Sequence, residues 1–164
     1  MDTQFTIDEI ELLIFNSSIF NKRQDIFVPN VSYGLLNHEA DLVVMTKSGY
    51  LSEIEIKRSW ADFLADFKKP HEHKDERVYR FYYAVPEKIA ERVIEYVQDH
   101  QVPTDGVIVY YEDGKYSFTP GWKMGVYYSH GRKLFMEEQL TIARLGCMRI
   151  WNLKQKIVES SNKL

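Results

Sequence analysis

The amino-acid sequence predicts an α/β fold in which helices flank a mixed central sheet. Three observations lead to this prediction. The 164 residues suit one domain, and a domain of that size buries a sizeable core. Some segments carry apolar residues at helical spacing, whereas others alternate at strand spacing. Along the chain these segments follow the order α, β, β, β, α, β, α, β, β, α.

The first half of the chain predicts a hairpin framed by helices. Thr6 and Glu9 have capping-box spacing and begin a helix over residues 6–20. A short apolar strand at 26–28 stops at Pro29. The later elements of this half are strands over 40–46, 51–57 and 79–85 and a helix over 59–69.

The second half predicts another hairpin between two helices. Its elements are a helix over 86–98, strands over 106–111 and 116–118 and a last helix over 136–158. The last helix places five side chains on one face, namely Leu140, Ala143, Cys147, Ile150 and Trp151. We expect a single domain over 1–164, with a core at about 6–98 and a C-terminal extension at about 99–164.

The charge is uneven along the chain. Lys and Arg total 21 and Asp and Glu total 24, so the formal net charge is −3. Residues 121–164 nevertheless hold 8 basic and only 3 acidic side chains. Bulk charge excludes a histone-like binder, and the aromatic content excludes a disordered chain. The basic end permits nucleic-acid contact, although charge alone favours chance patterning on a solvated surface.

The cysteine count and the hydropathy of the chain indicate which cellular compartment to expect. One cysteine, Cys147, allows no internal disulfide and no thiolate cluster for zinc. The first residues lack the basic region of a signal peptide, and no apolar run approaches the length of a membrane span. A cytoplasmic protein without a membrane partner is the resulting expectation.

The chemistry of the predicted hairpin lies on one face of its strands. Side chains alternate across a strand, so Glu53, Glu55 and Lys57 share a face, and Asp41 has the parity of Glu39. Carboxylates facing one point repel each other unless a cation lies between them. Oxygen ligands suit Mg²⁺. The alternative is an amphipathic strand whose polar face lies in water.

The spacing from Asp41 to the triplet Glu55-Ile56-Lys57 resembles that of the PD-(D/E)xK nuclease superfamily. The likeness is closer to its MmcB-like DNA-repair branch and to small phage- and mobile-element-associated members. The stretches that carry it are 28–32 (VPNVS), 38–41 (HEAD), 53–57 (EIEIK), 62–68 (DFLADFK), 81–86 (FYYAVP) and 144–151 (RLGCMRIW). Ala40 stands where the superfamily usually has proline.

The resemblance implies a restriction-endonuclease-like αβββαβ core and a metal site. Asp41 and Glu55 would bind Mg²⁺ or Mn²⁺ through their carboxylates, and the Ile56 carbonyl would be a third ligand. Lys57 would position the attacking water or stabilise charge.

The resemblance also suggests supporting acids. Glu39 and Glu53 would hold a second metal or tune Lys57. Glu9 or Glu11 on the first helix would complete the site, unless Glu9 serves only the capping box.

Residues that follow the triplet predict contacts to a nucleic-acid backbone. The candidates are Arg58, Lys68, Lys69, His71, His73 and Lys74. The two histidines could instead lie on a solvent-exposed turn, because no third nitrogen or sulfur ligand is nearby. Asp62 and Asp66 share a helix face, where they orient Lys57 or Lys69, unless Asp62 only caps the helix.

The function expected from the resemblance is metal-dependent DNA phosphodiester hydrolysis, as an endo- or exodeoxyribonuclease in phage or mobile-element DNA processing or in DNA repair. The alternatives are a catalytically inactive nucleic-acid-binding module with the same fold and a protein-interaction domain. DNA is the expected partner, with a homo-oligomer or a phage or repair protein left open. We expect Lys57→Ala and Asp41→Asn to abolish cleavage while leaving folding intact.

Overall fold

The computed structural model describes residues 2–32, 34–68 and 74–161. The helices are α1 (Ile7–Asn16), α2 (Trp60–Asp66), α3 (Glu87–Asp99) and α4 (Met136–Ser161). The strands are β1 (Ile26–Val31), β2 (Ala40–Met45), β3 (Leu51–Ile56), β4 (Val78–Pro86), β5 (Gly106–Tyr110) and β6 (Tyr116–Pro120). The predicted α/β class and the element order are confirmed.

The six strands form one mixed sheet in the order β1-β2-β3-β4-β5-β6. The pairs β1–β2, β2–β3 and β5–β6 are antiparallel, and β3–β4 and β4–β5 are parallel. Parallel neighbours need crossover connections, which α2 and α3 supply. The strands β5 and β6 extend the sheet of the first 98 residues, so the C-terminal segment adds to the same sheet.

Each face of the sheet has its own apolar cluster. One cluster brings α2, α3 and α4 against residues such as Val43, Phe81 and Val107. The other brings Ile10 and Ile14 of α1 against the opposite face. Strand β3 is central in the sheet and covered on both faces, so all six of its residues are buried.

The first helix is shorter than predicted. Its start is confirmed, because the Thr6 and Glu9 side chains form a capping box. It ends at Asn16, not at residue 20. The side-chain amide of Asn16 donates to the Leu12 carbonyl, and the Ser17 hydroxyl donates to the Ile14 carbonyl. Local side-chain bonds of this kind compete with continued helix.

The prediction that Pro29 stops the first strand is wrong. Strand β1 continues to Val31, and Pro29 pairs with Leu42 of β2. A proline fits there because β1 is an edge strand, whose outer side needs no backbone donor. Arg149 of α4 donates to the carbonyls of Pro29 and Asn30, which ties the helix to this edge.

Helix α4 packs on β1 through only part of its surface. Ile142 is fully buried, and Gly146 lies against Val28. The face predicted from Leu140 to Trp151 is turned away from the sheet and exposed at Leu140, Cys147, Ile150 and Trp151. In the described part of the chain, no helix has the length and apolar character needed to cross a membrane.

Candidate active site at the end of β3

The polar face of β3 lies inside the protein. Glu53 is 0% exposed and Lys57, just after the strand, is 2% exposed, with Glu55 between them also buried. The alternative of a polar strand face in water is therefore wrong. This face is buried because β3 is central in the sheet and helices cover both faces of the sheet.

Lys57 forms two buried ion pairs. Its Nζ lies 2.7 Å from Glu55 Oε1 and 3.0 Å from Asp66 Oδ1. Asp66 belongs to the last turn of α2, and its other oxygen lies 3.4 Å from the Tyr83 hydroxyl. Helix α2 thus delivers a carboxylate that fixes the lysine beside the sheet.

The two carboxylates keep Lys57 protonated. Burial by itself lowers the pKa of a lysine. Glu55 and Asp66 more than offset this effect, so the pKa of Lys57 is raised above its usual value. Lys57 can therefore donate hydrogen bonds and positive charge, but it cannot accept a proton near neutral pH.

Asp41 lies at the same end of the sheet as Glu55. The antiparallel β2–β3 ladder ends at the pair Leu42 and Ile54, and Asp41 and Glu55 are the next residues of the two strands beyond that pair. Asp41 Oδ2 accepts the Ile56 backbone N–H at 2.8 Å.

The Ile56 carbonyl faces the β2 side of β3. The Lys57 N–H donates to Ala84 on the β4 side, so the backbone groups of Ile56 face the β2 side, as its N–H does. The predicted ligands Asp41, Glu55 and the Ile56 carbonyl therefore all belong to the end of the sheet where the β2–β3 ladder stops.

The structure distinguishes between the two acids of α1 that were predicted to complete the site, Glu9 and Glu11. Glu9 serves the capping box with Thr6. Burial raises the pKa of Glu11 to about 7, with further contributions from Asp8 and Asp41. Glu11 Oε1 is buried and, within the described residues, accepts no hydrogen bond. Of these two acids, Glu11 is thus the one whose charge interacts with that of Asp41.

We expect Glu11→Gln to stabilise the protein above neutral pH. The folded-state pKa of Glu11 is raised from 4.5 to about 7, so ionisation costs folding free energy as the pH rises through that range. The substitution should raise the free energy of unfolding by about 1–2 kcal/mol at about pH 8 and leave it unchanged at about pH 4. Urea denaturation at both pH values measures this, with the exposed Glu95→Gln as control. Equal effects at both pH values would contradict it.

A second buried pair involves Glu53, which lies two residues before Glu55 in β3. Both oxygens of Glu53 lie 2.8 Å from His38 Nε2. The prediction that Glu53 holds a second metal or tunes Lys57 stays a prediction. Its carboxylate is directed to His38, which comes just before β2.

Loss of the His38 side chain should destabilise the fold. His38→Ala removes a hydrogen-bond partner of the fully buried Glu53 carboxylate, and we expect the free energy of unfolding to fall by about 1–3 kcal/mol. Adding Glu53→Gln should restore part of it, because a neutral amide is less costly to bury. Chemical denaturation of both variants tests the pairing. A double variant less stable than His38→Ala would refute it.

The donor set fits a hard divalent cation by type. Its ligands are carboxylate and carbonyl oxygens, which Mg²⁺ prefers, and the buried Glu11 Oε1 accepts no hydrogen bond among the described residues. In the described ranges, no group of three or more His, Cys, Asp or Glu side chains is arranged for a metal ion. The predicted set contains only two such side chains, together with a carbonyl.

Other predicted residues lie around this cluster. Glu39 is exposed just before β2, and Asp62 accepts the Arg58 backbone N–H. Asp62 thus bonds at the start of α2, whereas Asp66 reaches Lys57. Arg58 is half-buried, and Lys68 and Lys74 are exposed. The predicted Lys69, His71 and His73 lie outside the described residues.

A cavity of about 1230 Å³ adjoins the cluster. Its lining includes Asp66 and Tyr83 and aromatic residues such as Phe67, Tyr96 and Tyr128. Asp41, Glu55 and Lys57 are not part of its lining. The cavity therefore approaches Lys57 from the side of its partner Asp66.

The fold and this cluster define an α/β protein with acidic side chains around one buried lysine. No protein-family model and no curated protein matches the chain. Among solved structures, it is similar to the SPO1766 protein of unknown function from Silicibacter pomeroyi, with a TM-score of 0.54 and 15% identity. The match covers 85% of this chain and 84% of that chain. At this identity the likeness shows the fold alone.

Two parts of the cluster were missed or left open by the sequence. The His38–Glu53 pair was missed, because the two residues lie on separate segments that only the sheet brings together. The pairing of Asp66 with Lys57 was one of several alternatives. Its signal was the spacing of Asp62 and Asp66 on one face of the helix that follows Lys57.

Proposed function

We propose that the protein is a metal-dependent phosphodiester hydrolase that acts on DNA. The observation that carries this proposal is the arrangement of Asp41, Glu55 and Lys57 at one end of β3. Glu11 adds a further acid near Asp41 from α1. The resemblance of the Asp41-to-Lys57 spacing to the PD-(D/E)xK pattern supports the same reaction class. The closer resemblance of the chain to the MmcB-like branch and to small phage- and mobile-element-associated members supports a role in phage, mobile-element or repair DNA processing.

In this proposal the residues of the site have two roles, metal binding and charge stabilisation. Mg²⁺ or Mn²⁺ held by Asp41, Glu55 and the Ile56 carbonyl would supply Lewis-acid stabilisation at the phosphate. Glu55 and Asp66 keep Lys57 protonated, and Asp66 holds it in place from α2. Since a protonated lysine cannot take a proton from water, we assign Lys57 to stabilising the negative charge that develops on the phosphate oxygens.

The second candidate is a DNA-binding module without hydrolase activity. The burial of Lys57 favours this binding module, because the side chain is nearly inaccessible and its two ion pairs are with buried carboxylates of the same chain. The exposed Lys68 and Lys74 would then contact the DNA backbone without any reaction.

A cleavage assay on labelled single-stranded and double-stranded DNA distinguishes the two candidates. The hydrolase should release shorter fragments with Mg²⁺ or Mn²⁺ and none with excess EDTA. Binding is measured on the same DNA over a range of salt concentrations. Salt-dependent binding without any cleavage in either metal would overturn the hydrolase and support the binding module.

A further inference from the structure

Helix α4 carries an apolar stripe that the rest of the described chain leaves open. Leu140 is 62% exposed and Trp151 is 68% exposed, and Ile150, Ile157 and Val158 are also exposed. From Ile150 to Ser161 every residue of the helix is exposed. An exposed apolar surface of this extent marks an interaction site.

The stripe has the spacing of a coiled-coil seam. Its positions alternate by three and four residues, in the series Leu140, Ala143, Cys147, Ile150, Lys154 and Ile157. A period of 3.5 residues keeps one seam facing a partner helix over several turns. The seam is separate from the line of Ile142 and Gly146, which packs against the sheet.

We propose that a second copy of this chain covers the stripe, with the two α4 helices paired as an antiparallel coiled coil. In that arrangement the seam is complementary to itself. Leu140 lies against Ile157 of the second copy, and Cys147 lies against Ile150. Ala143 lies against Lys154, so the smallest seam residue faces the longest.

The parallel arrangement is less favourable for the same residues. It places the two Lys154 ammonium groups opposite each other and two small Ala143 side chains in one layer. Like charges at the seam repel, and facing small residues leave a void. A single lysine on a seam therefore selects the antiparallel register.

The exposed apolar area of the stripe is close to that of a standard protein interface. Six large apolar side chains of the stripe are exposed, namely Met136, Leu140, Ile150, Trp151, Ile157 and Val158. At roughly 100–150 Å² for each, they offer about 600–900 Å² per copy. A standard specific interface buries about 800 Å² per partner. The stripe alone approaches that area.

Sedimentation equilibrium of the full chain tests the dimer. The wild type should be dimeric at micromolar concentrations, and Ile150→Glu and Trp151→Glu should each weaken dimerisation roughly 30-fold or more. Trp122 is 76% exposed on the turn after β6, so Trp122→Glu is the matched control and should stay dimeric. A monomeric wild type, or a dimer that survives both α4 substitutions, would overturn the proposal. Neither result depends on hydrolase activity.

Cross-linking tests the direction of the helices. In a Cys147→Ser background, Leu140→Cys and Ile157→Cys chains are mixed, refolded together and oxidised. The antiparallel pair should yield a disulfide between the two different chains. A disulfide within dimers of Leu140→Cys chains alone would contradict the antiparallel arrangement.

Discussion

Lys57→Ala is expected to lower the free energy of unfolding by about 3–5 kcal/mol. The substitution leaves Glu55 and Asp66 buried next to each other without the cation that both contact. Breaking a buried ion pair costs this much because an uncompensated charge remains in the interior. The expectation that Lys57→Ala leaves folding intact is therefore replaced by a large loss of stability.

Urea denaturation of the purified variant measures this loss. Lys88 is exposed on α3, so Lys88→Ala is the matched control and should change stability little. A triple variant with Lys57→Met, Glu55→Gln and Asp66→Asn removes all three charges and should recover most of the stability. A Lys57→Ala variant as stable as the control would show that the ion pairs contribute nothing.

Asp41→Asn is expected to reduce metal-dependent DNA cleavage by about 10²–10³-fold or more while leaving the fold intact. The asparagine carbonyl oxygen can still accept the Ile56 N–H that Asp41 Oδ2 accepts at 2.8 Å. What the variant loses is one carboxylate charge of the predicted ligand set. Activity and stability should therefore separate at this position.

Single-turnover cleavage rates and thermal unfolding of the same preparation check this separation. Asp99 is exposed at the end of α3, and Asp99→Asn is the matched control that should cleave like the wild type. Full cleavage by Asp41→Asn would remove Asp41 from the reaction. A large loss of stability would instead give it a structural role.

Much of the fold could be predicted because local patterns agree with the tertiary structure. The capping box at Thr6, the apolar run of β2 and the alternation of Glu and Ile in β3 determine local structure without distant partners. Pro29 misled the prediction, since a proline is compatible with a strand only at an edge. The sequence does not state which strand is the edge.

The candidate site could be predicted only in part. The parity of Glu53, Glu55 and Lys57 correctly placed them on one face, but parity does not distinguish a solvated face from a buried one. That distinction depends on α2 and on the central position of β3, which together bury the face. The partners His38 and Asp66 also come from outside the strand, so no local pattern identifies them.

Helix α4 is a second case in which a local pattern predicts a face but not what that face contacts. Its apolar periodicity predicts a helix with one apolar face, and both features are present. Periodicity alone does not say what the face contacts. Here Ile142 and Gly146 pack on β1, and the stripe around Trp151 stays exposed.

The most direct test of the proposed function is the position of Mn²⁺ in crystals of the protein. Mn²⁺ is diffused into the crystals, and its anomalous signal locates the ion independently of any assay. The proposed function predicts a peak bounded by the carboxylates of Asp41 and Glu55 and the Ile56 carbonyl. Absence of a peak there, at Mn²⁺ concentrations used in the cleavage assay, would contradict a metal-dependent site at the end of β3.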